Sequence, residues 1–257
     1  MEHLRLEHGG PVGRLLINRA AKRNAFDQAM WENLPRLVDE AMAKPALRVL
    51  LVQSATPGVF CAGADIGEFS ARAPEAEWRA ANQAAIRRTQ VTLARAPKPV
   101  IAVVDGDCVG GGCGVALACD IRVASPRSRF GITPAKLGLV YPLHDTKLLV
   151  DVVGPAQAKR MLFSGGLLDA AEAHRIGLVD ILEADPNAAA EALAAQIASA
   201  SPYSAQASKA IIRRILDGAT DDDASSSAEF DAAFVGDDFR EGVSAFLGKR
   251  RPIFADR

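Results

Sequence analysis

Apolar and polar positions alternate along this chain in two different rhythms. Continuous apolar runs at Val49-Leu50-Leu51-Val52 and Val100-Ile101-Ala102-Val103-Val104 read as strands buried on both faces. Together with their neighbours they predict strands at Leu4–His8, Val12–Asn18, Val49–Gln53, Val100–Asp105 and Ile121–Ala124. Between them the period lengthens. Met30, Leu34, Leu37, Val38, Ala41 and Met42 recur at helical spacing in Asp27–Ala43, where Pro35 predicts a kink or an internal helix start. A second helical stretch, Glu75–Arg95, stops before Pro97, and the alanine-rich surroundings of Pro74 predict a mobile segment over 69–79. Beyond Gly154 the pattern is almost wholly helical: Pro155–Phe163, Asp169–Ile176, Asn187–Ala200 and Pro202–Leu216. The polar run Asp221–Ser227 then reads as a loop leading into an N-capped helix. Strands separated by helices predict an α/β architecture.

Composition narrows the function. The 257 residues suit one sizeable domain or a core with an appendage. Thirty basic residues against 31 acidic ones leave no electrostatic footprint for nucleic acid. No apolar stretch reaches the roughly 18 residues of a membrane span, and the charged start Met1–Glu7 lacks a signal-peptide core, so a soluble, cytoplasmic protein is expected. Cys61, Cys108, Cys113 and Cys119 stand at no zinc spacing. They read as reduced thiols in and around the core, with a catalytic thiol at Cys61 or Cys113 as the minor option, and no metal is implied.

The densest chemical signal is Cys108-Val109-Gly110-Gly111-Gly112-Cys113-Gly114, set between the 100–104 strand and a helical run from Val115 to Cys119. Strand, glycines and helix together present backbone N–H groups that have no intrahelical partner. No Gly-Lys-Ser/Thr follows, so this is not a phosphate loop; the dinucleotide pattern fails too, since its third glycine would fall on Val115 or Leu117. Two readings of the glycines remain open, a tight packing turn and a donor loop. A second loop, Phe60-Cys61-Ala62-Gly63-Ala64-Asp65-Ile66, also follows a strand candidate. Two such loops converging on one oxygen would make an oxyanion hole.

These blocks give the chain its resemblance to the enoyl-CoA hydratase/isomerase (crotonase) superfamily. Asn18–Ala25, Phe60–Ile66, Gly106–Asp120 and Glu241–Pro252 occur in family order over nearly the whole length. The resemblance implies a crotonase (ClpP-like) spiral of β-β-α turns over 1–200 and a helical trimerisation region over 201–257. It implies a homotrimer or a dimer of trimers acting on an acyl-CoA thioester. Coenzyme A enters as part of the substrate, and no separate cofactor is expected. Matched motif to motif, the backbone N–H groups that polarise the thioester carbonyl fall on Ala64 and Gly111. The CoA-binding positions fall on Lys22, Arg23, Ala25, Ala62, Asp65 and Ile66, with Phe246 and Lys249 reaching CoA held by a neighbouring subunit.

The chain departs from the hydratase branch at both of its glutamates. Gly114 and Pro134 stand in their places, and neither can move a proton. General acid–base groups contribute about 10²–10⁴-fold each, so ordinary hydration is disfavoured. Decarboxylation of a malonyl-type thioester needs an enolate sink and no strong base. The block Thr133–Tyr141 is similar to that of methylmalonyl-CoA decarboxylases, which share a tyrosine at Tyr141 but carry a histidine where this chain has Ala64. The enzymatic alternative is an atypical hydratase or isomerase using His144 oriented by Asp145. In the bland reading His144 is a loop residue, Asp145 the N-cap of a helix running to Val153, and Tyr141 a packing residue. Glu68 reads as an exposed helix position within reach of the pocket, and Asp65 as ordering its own turn. A third alternative is an acyl-CoA-binding protein without turnover.

Overall fold

The computed structural model describes residues 3–256. Two sheets divide the strands. The larger runs in the order β1 (Leu4–Glu7), β2 (Val12–Ile17), β3 (Val49–Ser54), β5 (Val100–Val104), β7 (Ile121–Ala124), β10 (Ile181–Leu182), parallel except for the β1–β2 hairpin. The smaller holds β4 (Val59–Cys61), β6 (Asp107–Val109), β8 (Arg129–Gly131) and β9 (Leu168–Asp169). From β3 onward, three passes of the chain each add a strand to the large sheet, then a short strand to the small one, then a helix. The small sheet has no counterpart in the strands expected from sequence, because three-residue strands leave too short a pattern.

Both faces of the large sheet are covered. Alternate residues of one strand point to opposite sides. Leu50, Val52, Ala102 and Val104 join the main core with α1 (Gln28–Met42) and α4 (Gly111–Ala118). Val49, Leu51, Ile101 and Val103 meet Ala190 and Ala194 of α7 (Pro186–Ser199) on the other side. Two-sided burial accounts for the unbroken apolar runs.

Several helices differ from expectation. Asp27 caps α1 through Met30 N–H at 2.9 Å, and α1 runs on through Pro35 as one helix, with no restart there. Pro35 cannot donate to the Trp31 carbonyl; Thr89 Oγ1 does so instead, at 2.8 Å. Thr89 belongs to α3 (Ala76–Ala94), which follows α2 (Ile66–Arg72). The segment 69–79 thus spans the end of α2, a short turn and the start of α3. Arg72 pairs with Glu75 at 2.6 Å, Arg79 donates to the Ala73 carbonyl at 2.6 Å, and the Phe69 and Trp78 rings meet edge-on at 5.8 Å.

Helix α5 (Leu143–Ser164) is broken at Gly154, whose φ of 73° lies outside the helical region, so a new helix does begin at Pro155. Asp145 is not its N-cap. That position belongs to Pro142, and Asp145 lies inside the first turn, 4 % exposed. Proline is preorganised for a helix start, and it sets the boundary three residues early.

The chain ends in α8 (Pro202–Leu216), α9 (Ala224–Val235) and α10 (Asp237–Leu247), after α6 (Ala170–Arg175). Asp223 caps α9 in a reciprocal box with Ser226. The tail returns to the core, where the Arg48 guanidinium donates to the Phe254 and Ala255 carbonyls and to Asp256 at 2.8–2.9 Å. Phe230, Phe234, Phe246 and Leu247 are exposed on the single chain.

Candidate active site

The two loops meet. At the end of β6, Gly110 adopts φ 55° and donates its N–H to the Gly131 carbonyl at 2.8 Å, which swings the chain into α4. A β-carbon on Gly112 would sit 2.4 Å from the Cys61 carbonyl oxygen, so only glycine lets α4 start this close to β4. On the other side, the 62–65 loop is stitched to the segment after β2. Ala62 N–H donates to the Arg23 carbonyl (3.0 Å), Phe26 N–H to Gly63 (2.8 Å) and Asp65 N–H to Phe26 (2.8 Å). Those bonds use one edge of the loop, so the Ala64 N–H faces the opposite way, toward α4. A β-carbon on Gly111 would lie 3.7 Å from Ala64 N and 2.8 Å from the Trp31 ring. Among the described residues neither the Ala64 N–H nor the Gly111 N–H has a partner in the protein. Two free donors thus sit side by side, one of them at a helix N-terminus.

Buried polar side chains hold this arrangement. Asn24, fully buried in a left-handed conformation (φ 57°), donates to Ser54 Oγ (2.8 Å) and the Phe60 carbonyl (3.1 Å) and accepts Arg19 N–H (2.8 Å). Asn24 escaped the sequence reading, although asparagine beside a predicted turn is a signal for left-handed backbone. Arg19 reaches Asp65 Oδ2 at 2.8 Å, while Asp65 Oδ1 caps α2 through Gly67 and Glu68 N–H. Burial pushes the Asp65 carboxyl up, but the Arg19 hydrogen bond and charge with the two N–H donors outweigh it, and the group lies below its ordinary value. Asp65 does order its own turn. Glu68 is not a free surface group; its Oε2 accepts Gln28 N–H at 2.8 Å and ties α2 to the start of α1. Burial pushes the Cys61 thiol up to about 12 against the pull of Gly63 N–H, so it is a thiol and not a nucleophilic thiolate.

One turn along α4 from Gly111, the space beside Gly114 is already filled. A β-carbon there would lie 2.6 Å from Gln90 Nε2 and 3.4 Å from the Tyr141 hydroxyl. Gln90 Nε2 donates to Asp145 Oδ1 at 2.7 Å. Gln90 Oε1, Tyr141 OH and Asp145 Oδ2 are buried without a protein partner. Burial pushes the Asp145 carboxyl up, more than the Gln90 bond and the His144 charge pull it down. Burial, with the Asp145 charge behind it, pushes the Tyr141 phenol well up. Gln90 was missed because it lies on α3, 55 residues from its partner.

The His144–Asp145 dyad expected from sequence is not assembled. Consecutive helical residues point about 100° apart. Asp145 turns inward to Gln90, whereas no hydrogen bond or ion pair joins it to His144 among the described residues. His144 is half-buried; burial lowers its pKa, Asp145 opposes, and Arg87, Arg213 and Arg95 lower it further. Pro134 opens a 3₁₀ turn, Pro134–Leu137, that packs against α5.

Of the CoA positions, Lys22, Arg23, Ala25, Ala62, Asp65 and Ile66 are gathered by the same stitched loops. Lys22 is exposed at the end of a 3₁₀ turn, and Arg23 is anchored to Asp107, which also holds Arg129 at 2.8 Å. Ile66 is exposed at the start of α2. Phe246 and Lys249 lie at the exposed end of α10, and no hydrogen bond among the described residues ties that end to the two loops. A cavity of about 420 Å³ opens at the far end of α4, near Leu117 and Ile212, but its charges already have partners: Lys209 with Asp120 at 2.7 Å, Arg213 with Asp151 at 3.5 Å, and Arg122 with Asp180 at 2.7 Å. Among the described residues no group of three or more His, Cys, Asp or Glu could hold a metal ion, and no helix is long and apolar enough to cross a membrane.

Comparison with known proteins identifies the family of the chain. The profile of the enoyl-CoA hydratase/isomerase family matches residues 7–257. The chain belongs to that family. It is 33 % identical to a crotonyl-CoA hydratase from Syntrophomonas wolfei over 263 aligned positions, covering 100 % of this chain and 99 % of the relative. The fold matches an enoyl-CoA hydratase/isomerase family protein from Hyphomonas neptunium with a TM-score of 0.96 and 39 % identity, over 100 % and 98 % of the two chains. An enoyl-CoA hydratase from Bacillus anthracis superposes with a TM-score of 0.92 at 26 % identity over the full length of both. The crotonase fold, with its terminal helices, is therefore the fold of this chain, and it is an acyl-CoA enzyme of the hydratase/isomerase family.

Proposed function

We propose that this family member stabilises a thioester enolate between the Ala64 and Gly111 N–H groups and uses that sink for decarboxylase-like chemistry. One observation carries the reading: two adjacent unpartnered amides stand one helical turn from a position where glycine replaces a catalytic carboxylate. Each such donor is typically worth about 2.7–4 kcal/mol of barrier in a water-poor pocket. When the bond from the α-carbon to a carboxylate breaks, its electron pair moves to the thioester oxygen and carbon dioxide leaves. No base is needed for that step, in keeping with Gly114 and Pro134. In this reading Tyr141 OH, which is buried and unpartnered, holds the departing carboxylate.

Lys22 and Arg23 supply cations for the CoA phosphates, with Ala25, Ala62, Asp65 and Ile66 forming the adenine side. Phe246 and Lys249 complete the site of an adjacent subunit in a trimer or a dimer of trimers. The exposed aromatic and aliphatic residues of α9 and α10 support that assembly.

A second reading is hydration or isomerisation with Asp145 in the role of the missing glutamates. It is favoured by the hydratase names of the relatives and by a buried carboxyl beside Gly114. Mass-spectrometric detection of products from a mixed panel of crotonyl-CoA, malonyl-CoA and methylmalonyl-CoA separates the two. Loss of 44 mass units from a malonyl-type thioester supports decarboxylation. Gain of water on crotonyl-CoA alone refutes it, and tight binding without any product would make the chain a binding protein.

A further inference from the structure

Helix α3 delivers one fully buried polar side chain to the start of α4. Gln90 is 0 % exposed, and its amide occupies the volume that a side chain at position 114 would need. From there it holds Asp145 Oδ1 at 2.7 Å and leaves Asp145 Oδ2 free. Folded proteins pair nearly all their buried polar atoms, because an unpaired one is costly. Three unpaired atoms on three side chains at one spot (Gln90 Oε1, Tyr141 OH and Asp145 Oδ2) mark a place where a ligand supplies the missing bonds. Gly111 and Gly114 are three apart on one helix and share a face, so the spot lies one turn from the paired amides.

We infer that Asp145 is the proton-transfer residue of this site, acting on the α-carbon of the bound thioester, and that Gln90 is its positioning residue. This rests on the enolate reading above and deepens it. After carbon dioxide leaves, the enolate oxygen returns its electron pair, the α-carbon bonds the proton on Asp145 Oδ2, and Asp145 is left as a carboxylate that solvent reprotonates. In reverse, the carboxylate takes an α-proton from a saturated thioester, and the C–H electrons move to the oxygen under the amides. The groups facing Asp145 favour a carboxyl that can do both. Gln90 on α3 is a neutral donor to Oδ1, Gln83 on the same helix is neutral, Tyr141 is a neutral phenol, and His144, whose charge pulls the Asp145 carboxyl down, makes no hydrogen bond to it among the described residues. Tyr141 cannot replace it, since a buried phenol reloads far too slowly as an acid–base group near neutral pH.

The test is α-hydrogen exchange of butyryl-CoA in D₂O, followed by mass spectrometry beside carbon dioxide release from methylmalonyl-CoA. The wild-type chain should exchange one α-hydrogen stereospecifically. Asp145→Asn, close to isosteric, should exchange at least about 100-fold more slowly. Gln90→Met fills the same volume without donating. It should retain exchange, but with the half-maximal pH moved upward, because a donor that stabilises the carboxylate has been removed. Rapid exchange by Asp145→Asn, or no exchange by the wild type, overturns the inference. An unshifted pH midpoint in Gln90→Met overturns the role of Gln90. Exchange through Asp145 without carbon dioxide release would sink the decarboxylase reading and leave this one standing. Carbon dioxide release without Asp145-dependent exchange would do the opposite.

Discussion

Thr89 stands in for a hydrogen that Pro35 lacks, and that substitution can be measured. In an uninterrupted helix the Trp31 carbonyl would accept from the N–H of residue 35; here it accepts from Thr89 Oγ1 at 2.8 Å, in a buried setting. Thr89→Val changes volume little but leaves that carbonyl unpaired. An orphaned buried acceptor costs about 1–3 kcal/mol. Pro35→Ala returns the missing N–H to the helix and should make Thr89 dispensable. In the Pro35→Ala background, Thr89→Val is therefore expected to cost about 1–2 kcal/mol less than in the parent, within the coupling range for residues sharing one partner. Pro35 is itself buried, so the single Pro35→Ala change also loses packing, and only the coupling isolates the hydrogen bond. Urea unfolding of the four proteins at one concentration gives the cycle. Equal Thr89→Val penalties in both backgrounds, within about 0.5 kcal/mol, would refute the argument. The Trp31 ring also backs Gly111, so the variant that leaves its carbonyl unpaired should lose turnover as well as stability.

Gly114→Glu drives its β-carbon to within 2.6 Å of Gln90 Nε2 and should cost about 1–3 kcal/mol by overpacking; pairing it with Gln90→Ala should recover most of that loss in a thermal melt. Asp107 and Asp105 lie below their ordinary values, first because of hydrogen bonds from Arg129 and Arg127, with burial opposing. The unfolded chain thus binds more protons in acid, so their contribution is full above a pH of roughly 4 and is lost as pH falls through the depressed folded values. Asp107→Asn should accordingly lower the melting temperature clearly at neutral pH and much less in strong acid, and an equal deficit at both would refute the linkage. Lys22→Ala should weaken acyl-CoA binding several-fold at low salt, with the difference shrinking as ionic strength rises, as calorimetry would show.

The long elements were legible because their burial writes a period into the sequence. β3 as far as Val52 and β5 along its whole length are apolar, since α7 covers one face and α1 and α4 the other. The glycines of 110–114 were legible as a loop, and their meeting with the 62–65 loop followed from two strands that end alike. What escaped was whatever depends on a distant partner. The strands at 59–61, 107–109 and 129–131 are too short to show alternation. Gln90 looks like any polar helical residue until Asp145, far along the chain, arrives beside it. Asp145 resembled a cap because a polar residue before an apolar run usually is one; Pro142 had already opened the helix, and Leu143 at 89 % exposure disguised which side faced inward.

The crowding at position 114 makes two designs mutually exclusive. A carboxylate can enter the pocket from α4, or an amide can enter from α3 with its acid on α5, but the volume admits one occupant. A chain drifting from one arrangement to the other must pass through a clash or a void, so neither residue can be exchanged alone without loss. Charge stabilisation by main chain is untouched by either choice. The same scaffold can hold its anion sink constant while the source of its protons moves from one helix to another.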